Sequence, residues 1–175
     1  MKASDTGIPV LDRRYEKTAS FLTAGISPPA RIVDLGTDNP FSAVMRGLGF
    51  DVTNTTGDLD VDTSSVQQPA EVVTAFEILE HLVAPFNVLR AIEAPRLFAT
   101  VPLSLWFAPA YRNDADPWDR HYHEFEDWQF EWLLEKSGWT VIRKELWKSP
   151  IGKIGFRPLL RKIHPRYLAV EAERR

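Results

Sequence analysis

Hydrophobic and polar positions along this chain switch repeatedly between a helical period and short apolar runs, and each switch marks an element. Residues 8–24 place Val10, Leu11, Tyr15, Ala19 and Leu22 near helical spacing, with Gly25 beyond the end, which predicts a helix. Ser27-Pro28-Pro29 is a stiff connector into an apolar run at 31–35, read as a buried strand. Asn39 and Pro40 have the chemistry of an N-cap and a first helical residue, so a helix is expected from there to about Leu48, stopped by Gly49. Residues 50–55 read as a second strand, 57–68 as a polar loop, and 71–76 as a buried β-rich run. An amphipathic helix is predicted over 83–93 and a strand over 96–101, followed by an irregular, aromatic segment at 103–120. Residues 125–136 read as a helix whose apolar stripe is Phe125, Trp128, Trp132 and Leu133, with Trp128 and Trp132 expected in the core. A strand at 139–147, a short basic helix at 156–163 and a closing strand at 167–173 complete the pattern. Strands alternating with helices predict a three-layer α/β domain.

Composition changes this picture little. At 175 residues the chain is long enough for one domain with a sizeable core. A net charge of −3 gives no global reason to expect nucleic acid. The absence of cysteine removes disulfides, thiolate chemistry and cysteine-bound zinc, and it fits a reducing, cytoplasmic setting. There is no apolar core of signal-peptide length, and the most apolar stretch, 94–111, contains Arg96 and is broken by Pro95, Pro102 and Pro109, so no transmembrane segment is expected.

Candidate chemistry concentrates where the first strand ends. Asp34 closes the run Ile32-Val33, Gly36 follows, and the turn through Thr37 leads into the helix start at Asn39-Pro40. In open α/β sheets ligands sit at the carboxyl ends of strands, and a glycine lets the backbone approach a ligand closely. Asp34 and Gly36 are therefore candidate cofactor contacts, with Asp34 as a strand-end capping residue the alternative. Glu77 and Glu80 are candidate site acids or simply acids favoured near a helix start. His81 is a candidate proton acceptor, with His123 second. His121, His123 and Glu124 look like a metal cluster, but histidines two apart share a direction only on a strand and no third ligand is evident, so no metal is expected.

Four segments in a fixed order carry a resemblance: VDLG at 33–36, VVTAFEILEHL at 72–82, ATVP at 99–102 and HYHEFEDWQFEWLLEKSGW at 121–139. Together they resemble the class I S-adenosylmethionine-dependent methyltransferases, in particular their small-molecule branch, over residues 29–147. The resemblance implies a Rossmann-like sandwich with strand order 3-2-1-4-5-7-6 and an antiparallel closing strand. It divides one domain into an N-terminal helix and connector (1–28), a cofactor-binding core (29–147), and a basic helix with the closing strand (148–175). It implies S-adenosylmethionine as cofactor, methyl transfer to a small-molecule acceptor, and room for a homo-oligomer. Asp34, Gly36 and Thr37 fall in its first turn, and Phe76, Glu77 and His81 in its segment after the fourth strand. Asp58 or Asp60 is the expected ribose contact, because Thr56 stands near the family's usual acid. Two departures matter. Asp38 and Pro40 occupy positions where the family usually has glycine, which keeps open a catalytically inactive binding or scaffolding domain. And too few residues separate Thr55 from Glu71 for a helix and strand, so the family's third strand is expected to be missing or vestigial, with 58–68 covering the exposed edge.

Overall fold

The computed structural model describes residues 9–148 and 164–175. Its six strands form one sheet in the order β2-β1-β3-β4-β6-β5, numbered along the chain as β1 Arg31–Asp34, β2 Asp51–Asn54, β3 Val72–Phe76, β4 Arg96–Pro102, β5 Trp139–Lys148 and β6 Pro165–Arg174. β2, β1, β3 and β4 pair in parallel, whereas β6 runs antiparallel to both β4 and β5. Deleting the third strand from the methyltransferase order leaves this arrangement, with the antiparallel strand slotted between its neighbours. Between Asn54 and Val72 there is only a 3₁₀ turn at Ser64–Val66, with Leu59 and Val66 buried beneath the loop. β2 is thus a four-residue edge strand, short enough to offer little template for another chain.

Alternation along each strand sends side chains to two cores. Ile32, Val72, Phe98 and Ala169 face one, where α1 (Pro9–Gly25) contributes Phe21 and Leu22, and α2 (Pro40–Gly47) contributes Phe41, Val44 and Met45. Val33, Val73, Leu97 and Val170 face the other, where α3 (Pro85–Ala91) adds Val88 and Leu89, and α4 (Asp127–Lys136) adds Phe130 and Leu134. α2 begins as its sequence dictates: the Asn39 side-chain Oδ1 accepts from the amides of Phe41 and Ser42 at 2.9 and 3.1 Å, with Pro40 at the first helical position.

One helical face differs from expectation. Trp128 and Trp132 are 47% and 65% exposed, packed edge to face on each other at 4.7 Å rather than in the core. The cause is phase: α4 starts at Asp127, after Phe125, and Phe130 and Leu134 set its inward side. The basic helix expected at 156–163 lies outside the described residues. Among those described, no helix is long and apolar enough to cross a membrane.

Candidate active site

The carboxyl ends of β1, β2, β3 and β4 share one edge, and strand order reverses at β1, which has β2 on one side and β3 on the other. Ligands of open α/β sheets sit in the crevice at such a point. Asp34 lies there but is not free to touch a ligand. It is buried, and its carboxylate accepts from Thr74 Oγ1 at 2.6 Å, Ser42 Oγ at 2.8 Å, Asn54 Nδ2 at 3.1 Å and Asn39 Nδ2 at 3.3 Å. Burial pushes its pKa up, and those hydrogen bonds pull it part of the way back. Asp34 therefore ties three strand ends and the start of α2 into one rigid unit, and the turn it holds is what faces the crevice. Gly36 sits in that turn at φ +94°, its amide donating to Thr55 Oγ1 at 2.7 Å, and a Cβ there would lie 2.7 Å from Ile78 Cδ1. Thr37 is exposed beside it. Asp38 pairs with α2: Arg46 Nη1 donates to Asp38 Oδ1 at 2.7 Å and Nη2 to the Asn54 side-chain Oδ1 at 2.8 Å.

The end of β3 supplies the acids. Among the described residues Glu77 is the only non-glycine with positive φ, at 54°, a conformation that costs roughly 1–3 kcal/mol and tends to persist at functional sites. Its Oε2 accepts from Arg14 of α1 at 3.1 Å, while its Oε1 is buried without a hydrogen-bond partner. Burial raises its pKa, and Arg14 first, then the Thr100 hydroxyl and the charge of Arg166, oppose the rise. Phe76 packs edge to face on Phe41, forming an apolar wall beside it. One turn on, Leu79–His81 form a 3₁₀ turn. Glu80 is 1% exposed, and burial first, then the charge of Glu77, pushes its pKa well above the ordinary carboxylate range. His81 Nδ1 lies 3.1 Å from the carbonyl of Arg120, which can only accept, so Nδ1 carries a proton and Nε2 is the ring nitrogen left for another partner.

The long segment after β4 folds back onto this turn. The amides of Tyr122 and His123 both bond the Glu80 carbonyl, at 2.8 and 3.2 Å. The two histidines then diverge. His121 meets His81 with ring centroids 4.7 Å apart, whereas His123 stacks on Phe125 and places Nε2 3.3 Å from the Val83 carbonyl. Of the two proposed proton acceptors, only His81 thus joins the acids of β3. Trp118 is 74% exposed and so does not anchor this segment in the core. Trp118→Ala is expected to change stability by no more than about 0.5 kcal/mol, checked by urea titration; a larger loss would show that the loop packs elsewhere in solution.

The two candidate ribose contacts are also sorted. Each oxygen of Asp60 accepts one backbone amide, those of Val83 and Ala84, at 2.8 Å, so Asp60 ties the β2–β3 loop to the start of α3. Asp58 is exposed, with one oxygen accepting from the amide of Asp60. Sequence reasoning passed over Arg14 and Asn54. It weighed Glu80 and His121 without placing them together, and the E-x-x-E-H spacing of Glu77, Glu80 and His81 was the signal available.

The sheet order, the crevice and the turn at Gly36 define the class I S-adenosylmethionine-dependent methyltransferase fold. Solved structures of this kind align over most of the chain. A 1,6-didemethyltoxoflavin-N1-methyltransferase of Burkholderia thailandensis, with 1,6-didemethyltoxoflavin and S-adenosylhomocysteine bound, matches at a TM-score of 0.61 and 16% identity over 98% of this chain and 86% of its own. A SAM-dependent methyltransferase of Archaeoglobus fulgidus matches at 0.62 and 14% identity, covering 93% and 94%. The [4+2]-cyclase SpnF matches at 0.56 and 12% identity, covering 94% and 80%. No family model and no curated protein matches the sequence. At these identities the likeness is one of fold, and the cyclase is a reminder that one fold hosts several chemistries.

Proposed function

We propose that this protein transfers the sulfonium methyl group of S-adenosylmethionine to a small-molecule acceptor. The observation that carries the proposal is the pairing, at the sheet's switch point, of a turn kept free of a Cβ at Gly36 with a conformationally strained Glu77 whose buried Oε1 has no partner. A buried carboxylate oxygen without a donor is costly, and a cationic ligand group would satisfy it. In this reading the turn at Gly36 and Thr37 lies against the cofactor, Glu77 accepts from its ammonium group, Asp58 accepts from ribose hydroxyls, and Phe76 supplies an apolar wall. Asp34 acts on the cofactor only through the turn it holds. When bound, the cofactor supplies a methyl group on an already activated leaving group. What remains for the protein is positioning, which can lower a barrier by several kcal/mol, about 7 or more in favourable cases. His81, whose Nδ1 is held by the Arg120 carbonyl and whose Nε2 is left open, is the group placed to receive the acceptor's proton, and the exposed aromatic segment 103–123 is the nearest cover for the acceptor.

A specific feature favours the scaffolding alternative: Asp38 is already consumed by Arg46, so the first turn is stiffer and bulkier than a glycine-rich one. One titration separates the two readings. S-adenosylhomocysteine at about one hundred times its dissociation constant is expected to stabilise the fold by roughly 2.7 kcal/mol. Gly36→Val, which forces a branched side chain into a left-handed backbone against Ile78, is expected to abolish that shift. Absence of any shift in the wild type at millimolar ligand would leave the scaffold.

A further inference from the structure

We propose that Glu80, His81 and His121 form a binding site for one divalent transition-metal ion of the zinc class. Each residue offers one ligand atom, and the three atoms lie within 4.8 Å of one another. A tetrahedral ion with ligand bonds of about 2.0–2.2 Å needs them somewhat closer, a change that small side-chain rotations supply. Two independent features of the cluster point to a missing ligand rather than to a chance grouping. Glu80 is 1% exposed and its Oε2 has no hydrogen-bond partner, and the buried Nδ1 of His121 has none either. Native proteins rarely leave such groups unpaired. A cation between them satisfies both at once and offsets the repulsion between the Glu80 and Glu77 carboxylates.

The surroundings are built for ligation. His81 donates from Nδ1 to the Arg120 carbonyl at 3.1 Å, the arrangement that fixes a metal-binding histidine's tautomer and leaves Nε2 as a ligand. That Nε2 already lies 3.9 Å from Glu80 Oε1. Three hydrogen bonds pin the two segments together: the one from His81 and those from the Tyr122 and His123 amides to the Glu80 carbonyl. Beyond them, Asp119 accepts from Tyr111 Oη at 2.6 Å and Asn113 Nδ2 at 2.8 Å, and Tyr111 packs against His121 with centroids 4.5 Å apart. Two imidazoles and one carboxylate suit zinc, iron(II) or cobalt(II) better than magnesium, which prefers an all-oxygen shell. Three protein ligands leave a position open, as in catalytic rather than structural sites. An ion there would bind an ionisable oxygen of the acceptor and lower its pKa, so that its proton is released to water and His81, now a ligand, is not needed as the base. Only this last step rests on the methyl-transfer reading; the site itself does not.

Metal binding is tested on the full chain after dialysis against a chelator. Calorimetric titration with Zn²⁺ is expected to show one equivalent bound, and Co²⁺ to give the visible absorption of a low-coordinate site. His121→Ala and Glu80→Gln are expected to weaken Zn²⁺ binding at least tenfold, whereas His164→Ala, which removes a Trp106 contact and no ligand of the cluster, leaves it unchanged. Millimolar Mg²⁺ is expected not to compete. Circular dichroism of each variant without metal establishes that it folds, and His81→Gln serves where Glu80→Gln does not. No stoichiometric Zn²⁺ binding, or binding that survives in the folded His121→Ala and His81→Gln variants, overturns the proposal. S-adenosylhomocysteine titration with chelator present reports on the cofactor reading separately.

Discussion

Glu171→Ala is expected to cost about 3–5 kcal/mol of stability, the range for stripping one partner from a buried ion pair. Glu171 lies on β6, buried, and its carboxylate is shared by two guanidiniums: Arg96 of β4 bonds Oε1, and Arg143 Nε of β5 bonds Oε2 at 2.7 Å. The three residues lie on three neighbouring strands, so the cluster crosses the antiparallel part of the sheet. It also anchors α1. Arg143 Nη2 donates to the Phe21 carbonyl at 2.7 Å, and the guanidinium lies 3.9 Å over the Phe21 ring. At the end of α1 the chain passes so close that a Cβ on Gly25 would lie 2.6 Å from Glu171 Oε2. Alanine at 171 leaves two guanidiniums facing each other without their shared anion. For a domain of this size the loss corresponds to a fall in melting temperature of roughly 10–15 °C. Glu171→Leu combined with Arg96→Met and Arg143→Met is expected to recover much of it, because replacing a whole buried ion cluster by apolar groups is often neutral. Thermal melts of both variants check this. A loss near zero for Glu171→Ala would show that the pairs are solvent-screened and contribute little.

The consequence reaches the active site through α1. Arg14, which pairs with Glu77, is carried by the helix that the Glu171 cluster docks on the sheet. Loosening the docking of α1 is expected to weaken the Arg14 pairing with Glu77, leaving the charge of Arg166 as its remaining cationic neighbour. Stability and cofactor binding are therefore expected to fall together at this remote position.

Local chemistry made much of the fold legible. Asn39-Pro40 can hardly be anything but a helix start, and Gly36 and Gly49 mark turns whose backbone is left-handed, as the structure shows at +94° and +96°. The missing third strand followed from chain length alone, because the residues between Thr55 and Glu71 cannot span a helix and return as a strand. What stayed hidden depends on long-range contact. Arg14 and Glu77 are 63 residues apart, and nothing in the periodicity of α1 distinguishes Arg14 from Arg13. Asp60 drew notice because it follows β2; only the arrival of Val83 and Ala84 shows that it also ties its loop to α3. His121 and His123 would share a direction only on a strand; the segment is irregular and turns them apart, His121 to His81 and His123 to Phe125. Trp128 and Trp132 misled because a shift of two residues in the start of a helix rotates its stripe by more than half a turn.

Asp34→Ala is expected to lose about 3–4 kcal/mol and to weaken S-adenosylhomocysteine binding beyond what the lost stability explains. The magnitude follows from the partners left behind. Thr74 and Ser42 are fully buried, so their hydroxyls lose an acceptor that water cannot easily replace, at roughly 1–3 kcal/mol each. Asn39 and Asn54 are less affected, because each retains a second acceptor in the Thr37 carbonyl, at 3.2 and 3.4 Å. Asp34→Asn should cost less than alanine, since an amide still offers one acceptor oxygen and the two hydroxyls can rotate. The pH dependence separates charge from geometry. Burial raises the Asp34 pKa in the folded state, so the folded protein holds that proton more readily than the unfolded chain. A carboxyl shifted this way stabilises the fold most when protonated, and its contribution declines as pH rises from the unfolded value near 4 through the folded one. Asparagine has no such proton. The stability advantage of wild type over Asp34→Asn is therefore expected to narrow with rising pH above about 4, measured by urea titration of both proteins at several pH values. An advantage that instead widens with pH would mean that the four donors outweigh burial, and that Asp34 is held as a preferred anion beneath the cofactor turn.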